Sequence, residues 1–190
     1  EYLSRGAWRV DGAQHGLFGN SSYSVEAGYQ SDPGQLENEH LGYEEYRLLL
    51  KHQLSPADTL FISAEQLEVE SGDVVQRYDP EIRSTTARFS ERRPLFTLGF
   101  HHEWSPESRT LLYASALRDD YSAFSQNISL FARRPDGPIA SIHDVGFDRE
   151  YDHETKLFTA EAQQIWAGRP YHLVGGGRYQ NATIHAPELA

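Results

Sequence analysis

The most prominent set of chemically capable side chains in this sequence is the run His101-His102-Glu103. Imidazole and carboxylate groups are ligands for zinc, so the run suggests a metal site. Neighbouring residues on a β-strand point to opposite faces, however, so only His101 and Glu103 can share a site. The helical His-Glu-x-x-His spacing of zinc proteases is missing from the sequence. We therefore predict no metal ligands, and expect His101 to face a polar interior.

Two other segments have compositions that bind ions in other proteins. The acidic run from Asp144 to Glu154 offers carboxylates for a hard cation, but it lacks the spacing of an EF-hand loop, and we interpret it as a solvated loop. The run Gly175-Gly176-Gly177 is not followed by a helix whose N-terminus would face a phosphate, so we interpret it as strand glycines that permit curvature or close packing. No Gly-x-Ser-x-Gly motif occurs either. The sequence predicts no catalytic residue and no cofactor.

Composition narrows the classes of protein further. The formal net charge of −11 argues against nucleic acid as a partner, because phosphate binding needs clustered Lys and Arg. The chain has no cysteine, which excludes disulfides and is compatible with an oxidising compartment such as the periplasm or cell surface. No apolar stretch approaches the roughly 18 residues of a transmembrane helix. The elements that would position any functional residue are therefore expected to be strands.

Short and long connections alternate along the chain. Turn chemistry predicts tight hairpins at four places: Gly16–Asn20, Ser55–Asp58, Ser105–Ser108 and Ala167–Pro170. Much longer polar connections lie between them: Ser31–Gly42, Glu70–Arg93 and Asp119–Glu154. This alternation is typical of outer-membrane barrels, in which tight periplasmic turns oppose long extracellular loops.

The segments between the turns alternate as strands do. Phe96, Leu98 and Phe100 fall on one face of a strand that ends in Trp104, and the alternating residues Leu95, Thr97, Gly99, His101 and Glu103 fall on the other face. About eight strands are predicted, at 3–14, 21–31, 43–54, 58–70, 94–104, 109–121, 155–166 and 170–184. The pattern from Thr59 to Glu70 changes face part-way, which suggests a β-bulge. Residues 127–132 resemble a further short strand inside the longest loop.

These segments resemble bacterial outer-membrane β-barrels, in particular the TonB-dependent-receptor-like or porin-like barrel domains. The resemblance is carried by Leu95–Leu117 and Thr155–Gln180, each a strand, a short turn and a returning strand. It implies a single all-β domain over 1–190, an antiparallel up-and-down barrel or barrel segment in the outer membrane of the cell envelope. Because the chain ends in His185–Ala190 rather than on an aromatic strand, we expect a segment of a larger barrel.

Two sets of residues follow from this interpretation. The predicted lumen side chains are charged and of both signs: Arg47, Lys51, Glu65, Glu103, Arg118, Glu161 and Arg178. The predicted membrane-interface aromatics are Trp104, Trp166, Tyr171 and Tyr179. The expected partners are outer-membrane lipid and either other envelope proteins or the rest of a larger barrel.

Two functions remain open at this point. The first is transport or surface binding by an outer-membrane barrel, without catalysis. The alternative is a soluble secreted β-sandwich that binds a carbohydrate or protein ligand, which requires Phe96, Phe100 and Trp104 to be buried against a second sheet.

Overall fold

The computed structural model describes residues 6–74, 84–126, 128–133, 139–145 and 148–186, and for residues 128–133 and 139–145 it describes only the backbone. It contains ten strands: β1 (Trp8–Phe18), β2 (Ser21–Asp32), β3 (Leu41–Gln53), β4 (Asp58–Ser71), β5 (Arg88–Ser105), β6 (Ser108–Ser125), β7 (Ile128–Arg133), β8 (Ile139–Val145), β9 (Arg149–Trp166) and β10 (Leu173–His185). Within these ranges there is no α-helix, and so none that is long and apolar enough to cross a membrane.

Eight of the strands form one antiparallel sheet in the order β1-β2-β3-β4-β5-β6-β9-β10. Neighbours in the sheet are also neighbours in the sequence, except that β6 pairs with β9. The two strands between them, β7 and β8, pair only with each other as a separate two-stranded sheet. The prediction of about eight up-and-down strands is confirmed, and the short strand expected near 127–132 is present as β7.

Short turns lie at one end of the sheet, because sequential antiparallel strands return there. The β1–β2 turn consists of Gly19 and Asn20, and Gly19 has a φ of +56°, which the first central position of a type II′ turn requires. In the β3–β4 turn the Ser55 hydroxyl accepts hydrogen bonds from the backbone N–H groups of Ala57 and Asp58, at 3.1 and 3.0 Å. Pro106 and Glu107 form the β5–β6 turn.

The fourth connection is less tight than the sequence suggests, since residues 167–172 separate Trp166 from its partner Leu173. The strands joined by the long connections 33–40, 72–87 and 126–148 end and begin at the opposite end of the sheet. Two of them are tied together by Asn38, whose side-chain amide donates hydrogen bonds of 2.9 Å to the carbonyls of Ser84 and Ala87.

Some strand boundaries differ from the predictions. β5 begins at Arg88 rather than 94, and β6 and β9 extend to Ser125 and back to Arg149, because backbone pairing continues where the side chains become charged. β1 begins later than expected, at Trp8. The bulge expected in Thr59–Glu70 is absent: β4 keeps one register with both neighbours from one end to the other.

The sheet has no core of its own in the described residues. The only buried hydrophobic residues there are Ala7 and Ala87, and no side chain is fully buried. Within the described residues the main sheet is therefore a single layer, and Ser63, Thr97 and Thr159 on one of its faces are among the few buried side chains. The side chains of each face therefore indicate what that face contacts.

Candidate functional surfaces

Strand register assigns every side chain to one of two faces, because residues directly opposite each other point to the same side. One face, here the apolar face, carries an unbroken row across six strands: Tyr23, Leu50, Ile62, Leu98, Ala114 and Ala160. The other, the polar face, carries Arg47, Glu65 and the side chains that alternate with that row. Most of the large hydrophobic residues exposed on the strands lie on the apolar face.

The apolar residues form a belt across the middle of that face. On β5 the belt runs from Pro94 through Phe96 and Leu98 to Phe100, about 20 Å at 3.4 Å per residue, and it is narrower on β4 and β6. Phe96 and Leu98 are 48% and 40% exposed. An open groove of about 780 Å³ crosses seven strands at the long-connection edge of the belt, between the row of Phe96 and the row of Pro94 and Arg118. Large exposed apolar patches mark sites of contact with proteins or membranes.

Charged side chains border the belt on the long-connection side. Arg92 contacts Glu68 at 3.0 Å, and Arg118 contacts both Asp120 and Glu154 at 2.9 Å. Lys156 contacts Glu154 as well, at 2.9 Å. The belt therefore ends in ion pairs, two within a strand and two between neighbouring strands.

Polar side chains border the belt on the turn side. His52 hydrogen-bonds Ser21 at 2.7 Å, and the Asp58 carboxylate accepts a hydrogen bond of 2.6 Å from Nδ1 of His102. The His102 ring lies edge-on to Trp104 with ring centres 4.2 Å apart. The indole of Trp104 donates 2.8 Å to Thr110, whose hydroxyl bonds Gln164. Hydrogen-bonded side chains thus line this edge across several strands.

Ser55, Asp58 and His102 in this edge do not form a catalytic triad. The Ser55 hydroxyl donates to Asp58, and it is the carboxylate that contacts His102. A serine nucleophile instead needs its hydroxyl on the imidazole. The hydrogen bond from Ser55 and then that from His102 lower the pKa of Asp58 below its ordinary value. The trio stabilises the turn.

The belt runs obliquely to the strands. Its last apolar residue towards the long connections is Tyr29 on β2, which lies in the same row as Glu68 of β4. On β10 that limit is Tyr179, which lies in the row of Ile62. The limit thus moves six residues along β4, from 68 to 62, over the six pairings between β2 and β10. The shift averages one residue per strand.

Arg47 is the centre of the polar face on the N-terminal strands. Its guanidinium contacts three carboxylates, Glu26 at 3.3 Å, Glu45 at 3.0 Å and Glu65 at 3.7 Å. The side chains remain about two-fifths exposed, so these are partly solvated ion pairs. Glu26 and Glu45 were not among the predicted residues, although their alternation with Val25 and Tyr46 was a usable signal.

The polar face changes character on the later strands. One row consists of small hydroxyl residues, of which Ser63, Thr97 and Thr159 are among the few buried polar side chains of the described chain. The row two positions away on the same face contains Leu95, Leu117 and Leu157 side by side. This half of the polar face is therefore partly apolar.

The predicted lumen residues divide between the two faces. Six share the polar face, and among them Arg47 contacts Glu65, and Arg178 contacts Glu161 at 2.6 Å. Lys51 has no ion pair in the described chain, and Glu103 lies opposite Arg109. Arg118 does not share that face: it lies opposite Lys156, one residue beyond Leu117, so it faces the apolar side.

The predicted interface aromatics also separate. Trp104 and Trp166 lie at the turn-side edge of the apolar face, with Trp104 at a register shift between Glu103 and Ser105. Tyr171 lies in the connection after β9 and is exposed. Tyr179 pairs with Ala160, in the row that crosses the middle of the belt on β5.

The other candidate residues stay apart. His101 and Glu103 are on the polar face opposite Leu111 and Arg109, and no group of three or more potential metal ligands occurs among the described residues. The acidic run begins at Asp144, and the side chains of its first four residues, 144–147, lie outside the described part of the chain. The glycine run is part of β10, where a Cβ on Gly176 would collide with the carbonyl oxygen of Ala162, so close packing requires glycine there.

The β-sandwich alternative lacks its second sheet in the described residues. It requires burial of Phe96 and Trp104, but these side chains are exposed, and the only other sheet there is the β7–β8 pair. Comparisons of the chain with protein-family models, with curated proteins and with solved structures found no match. The geometry of the two faces therefore carries the functional argument.

Proposed function

We propose that this chain is a bacterial outer-membrane β-barrel, or a segment of a larger one of the TonB-dependent-receptor-like kind, with a transport or surface-binding role and no covalent chemistry. The observation that carries the proposal is the exposed belt on the apolar face, bordered by ion pairs on one side and by hydrogen-bonded polar residues with tryptophans on the other.

Lipid is the cover that fits this belt. A hydrocarbon layer accepts Phe96, Leu98 and Phe100 without demanding a complementary protein surface, and its interface favours Trp104 and Trp166. The belt on β5, from Pro94 to Phe100, is about 20 Å long at 3.4 Å per residue, and Trp104 in the turn-side border lies about 14 Å further along the strand. At a strand tilt of about 40° the belt is roughly 16 Å high and the belt together with this border roughly 26 Å, whereas outer-membrane barrels have an apolar band of about 25 Å flanked by aromatic residues.

The oblique course of the belt supports the same proposal. A membrane imposes a level boundary, so on tilted strands that boundary must cross the rows of paired residues at an angle. One residue, about 3.4 Å, per strand spacing of about 4.8 Å corresponds to a tilt of about 35°. Outer-membrane barrels have tilts of about 35–45°. In a soluble sheet nothing would require this drift.

The connections suggest where a ligand or partner would bind. The short turns would face the periplasm, and 33–40, 72–87 and 126–148 would face the outside. Asn38 joins two of these connections, so part of the outer surface is organised rather than a set of separate loops. Surface binding would use these segments, and transport would use the polar face.

The test is extraction and gel mobility. Expressed with export to the envelope, the protein should remain with the membranes in salt and carbonate washes, dissolve only in detergent, and migrate differently on gels before and after boiling. A soluble barrel-free domain would appear in the aqueous fraction as a monodisperse monomer, and that outcome would refute the proposal.

A further inference from the structure

We infer that β1 and β10 pair with each other, so that the eight-stranded sheet closes on itself with a register offset of about eight residues. The inference rests on the proposed function, since it takes the belt as a level boundary. It goes further by naming which strands meet, in which register, and what becomes of the polar face.

The two edge strands, β1 and β10, are able to pair with each other. β1 and β10 run antiparallel to each other, because strand directions alternate across the sheet and these are its first and eighth strands. Every residue of β10 is exposed, and so is all of β1 except Gly16. Among the described residues, neither strand has a partner strand on its outer side, so each presents a row of backbone groups there. Edges of this kind invite pairing, and within a lipid layer they must be paired.

The polar face also requires a cover. Leu95, Leu117 and Leu157 lie side by side on it, and no second layer covers them in the described chain. Lipid cannot cover this face, because it also carries the Arg47 cluster. In a closed barrel of eight strands the opposite wall fills the interior with side chains, so the sheet supplies its own core. Closure within this chain therefore favours surface binding over transport along the polar face. The side chains of Ser63, Thr97 and Thr159 on this face are small and buried, so the opposite wall of a barrel can pack closely against them.

The drift of the belt gives the register. Without an offset, the row through Tyr179 and Ile62 would continue to Gly16 of β1. One residue per strand over the eight steps of a closed barrel gives an offset of about eight, the value that corresponds to a tilt of about 36°. The direction of drift moves the partner from Gly16 to Trp8. Trp8 then faces Tyr179, and Val10 faces Gly177.

The residues at this seam are compatible with pairing. Trp8, which already packs on Tyr29 with ring centres 4.8 Å apart, would gain a second aromatic neighbour. On the polar face Arg9 and Arg178 would be opposite, each with its own carboxylate, Asp11 at 2.8 Å and Glu161 at 2.6 Å. Asp11 would then lie diagonally across from Arg178. The seam thus alternates charges rather than opposing two unpaired cations.

Cysteine pairs test the register, since the native chain has no cysteine to interfere. The matching pair is Val10→Cys with Gly177→Cys, and a Cβ at Gly177 has no atom within 4 Å. The offset controls combine Val10→Cys with Gly175→Cys or with Tyr179→Cys. Opposite residues place Cα atoms about 4.5–5.5 Å apart, which a disulfide spans, whereas a shift of two residues exceeds its limit of about 7 Å.

The variants are oxidised in isolated membranes and compared on non-reducing gels, with the single-cysteine chains as references. We expect an intramolecular disulfide at least fivefold more abundant in the matching pair than in either control. Gly12→Cys with Gly175→Cys, which has the same register, should behave like the matching pair and guards against a local folding defect.

The outcomes are distinguishable from failure of the proposed function. If no pair reacts within one chain, or if an offset control dominates, while all samples remain heat-modifiable membrane proteins, the closure inferred here is wrong and the barrel assignment stands. Disulfide-linked dimers would likewise overturn it. Loss of heat-modifiability and of membrane association in the native chain would instead refute the barrel itself.

Discussion

The two faces of the eight-stranded sheet are made by alternate residues of the same strands, yet they meet opposite demands. The apolar face is uniform across the sheet and changes sharply only along the strands, from belt to charged and polar borders. The polar face instead changes across the sheet, from the Arg47 cluster on β2–β4 to the leucine row on β5, β6 and β9. A face in contact with a solvent meets the same environment on every strand, so its composition stays uniform across the sheet. A face in contact with other parts of the same protein meets a different partner at each place, so its composition varies.

The largest expected loss of stability comes from a charge placed on the apolar face. Leu98→Arg places a charge in the centre of the belt and should lower the free energy of unfolding in lipid by about 2–4 kcal/mol. Ser90→Arg is the matched control on the same strand and face, beyond the belt, and should cost about 0–1 kcal/mol. Denaturant titration of the protein refolded into vesicles, followed by tryptophan fluorescence, measures both.

The comparison between Leu98 and Ser90 also separates the two environments. In water Leu98 is a partly exposed surface residue, and its substitution should change stability by only about 0.5 kcal/mol. Equal effects of the two arginines would therefore argue against a membrane around the belt.

A smaller effect tests the polar face. Arg47→Gln removes the guanidinium that contacts Glu26, Glu45 and Glu65, so the three carboxylates would repel one another. We expect destabilisation on the order of 1 kcal/mol, discounted for partial exposure and reduced further by added salt. Lys51→Gln, on the same strand and face but without an ion pair in the described chain, is the control and should have little effect. An equal loss for Lys51→Gln would show that net charge, rather than the cluster, is what matters.

The smallest effect concerns the turn-side border and depends on pH. Hydrogen bonds from Ser55 and His102 lower the pKa of Asp58, which lies outside the belt. A carboxyl group with a lower pKa in the folded state adds stability above its unfolded pKa of about 3.9, and this stability is lost as pH falls through the lowered pKa. The stability advantage of the native chain over Asp58→Asn should shrink as the pH falls from about 5 to below 3. A gap between the two unfolding midpoints that does not vary with pH would contradict this.

The sequence predicted the turns better than the strand ends. Ser55, Pro56 and Asp58 fix a turn by local hydrogen bonds and a fixed φ, so their types reveal it. Arg88 to Arg93 carry no apolar alternation, but they extend β5 because β4 and β6 offer them backbone partners. Pairing between distant segments is not visible in a single strand's pattern.

The surfaces were predictable only in part, for a related reason. Alternation around Phe96 placed the belt, but its oblique limit appears only when the rows of all strands are aligned. Counting residues from Leu117 would have put Arg118 on the apolar face. The Arg47 cluster joins Glu26 and Glu65 across three strands, a coincidence that requires the register.

The order of the strands bears on how the molecule assembles. Six of the seven pairings in the main sheet join consecutive strands, so the chain can form one hairpin after another with small losses of loop-closure entropy. The pairing of β6 with β9 is the exception, and β7 with β8 shortens the gap by bringing 128 and 145 together first. Formation of the β7–β8 hairpin would thus limit the rate at which β9 and β10 join the sheet.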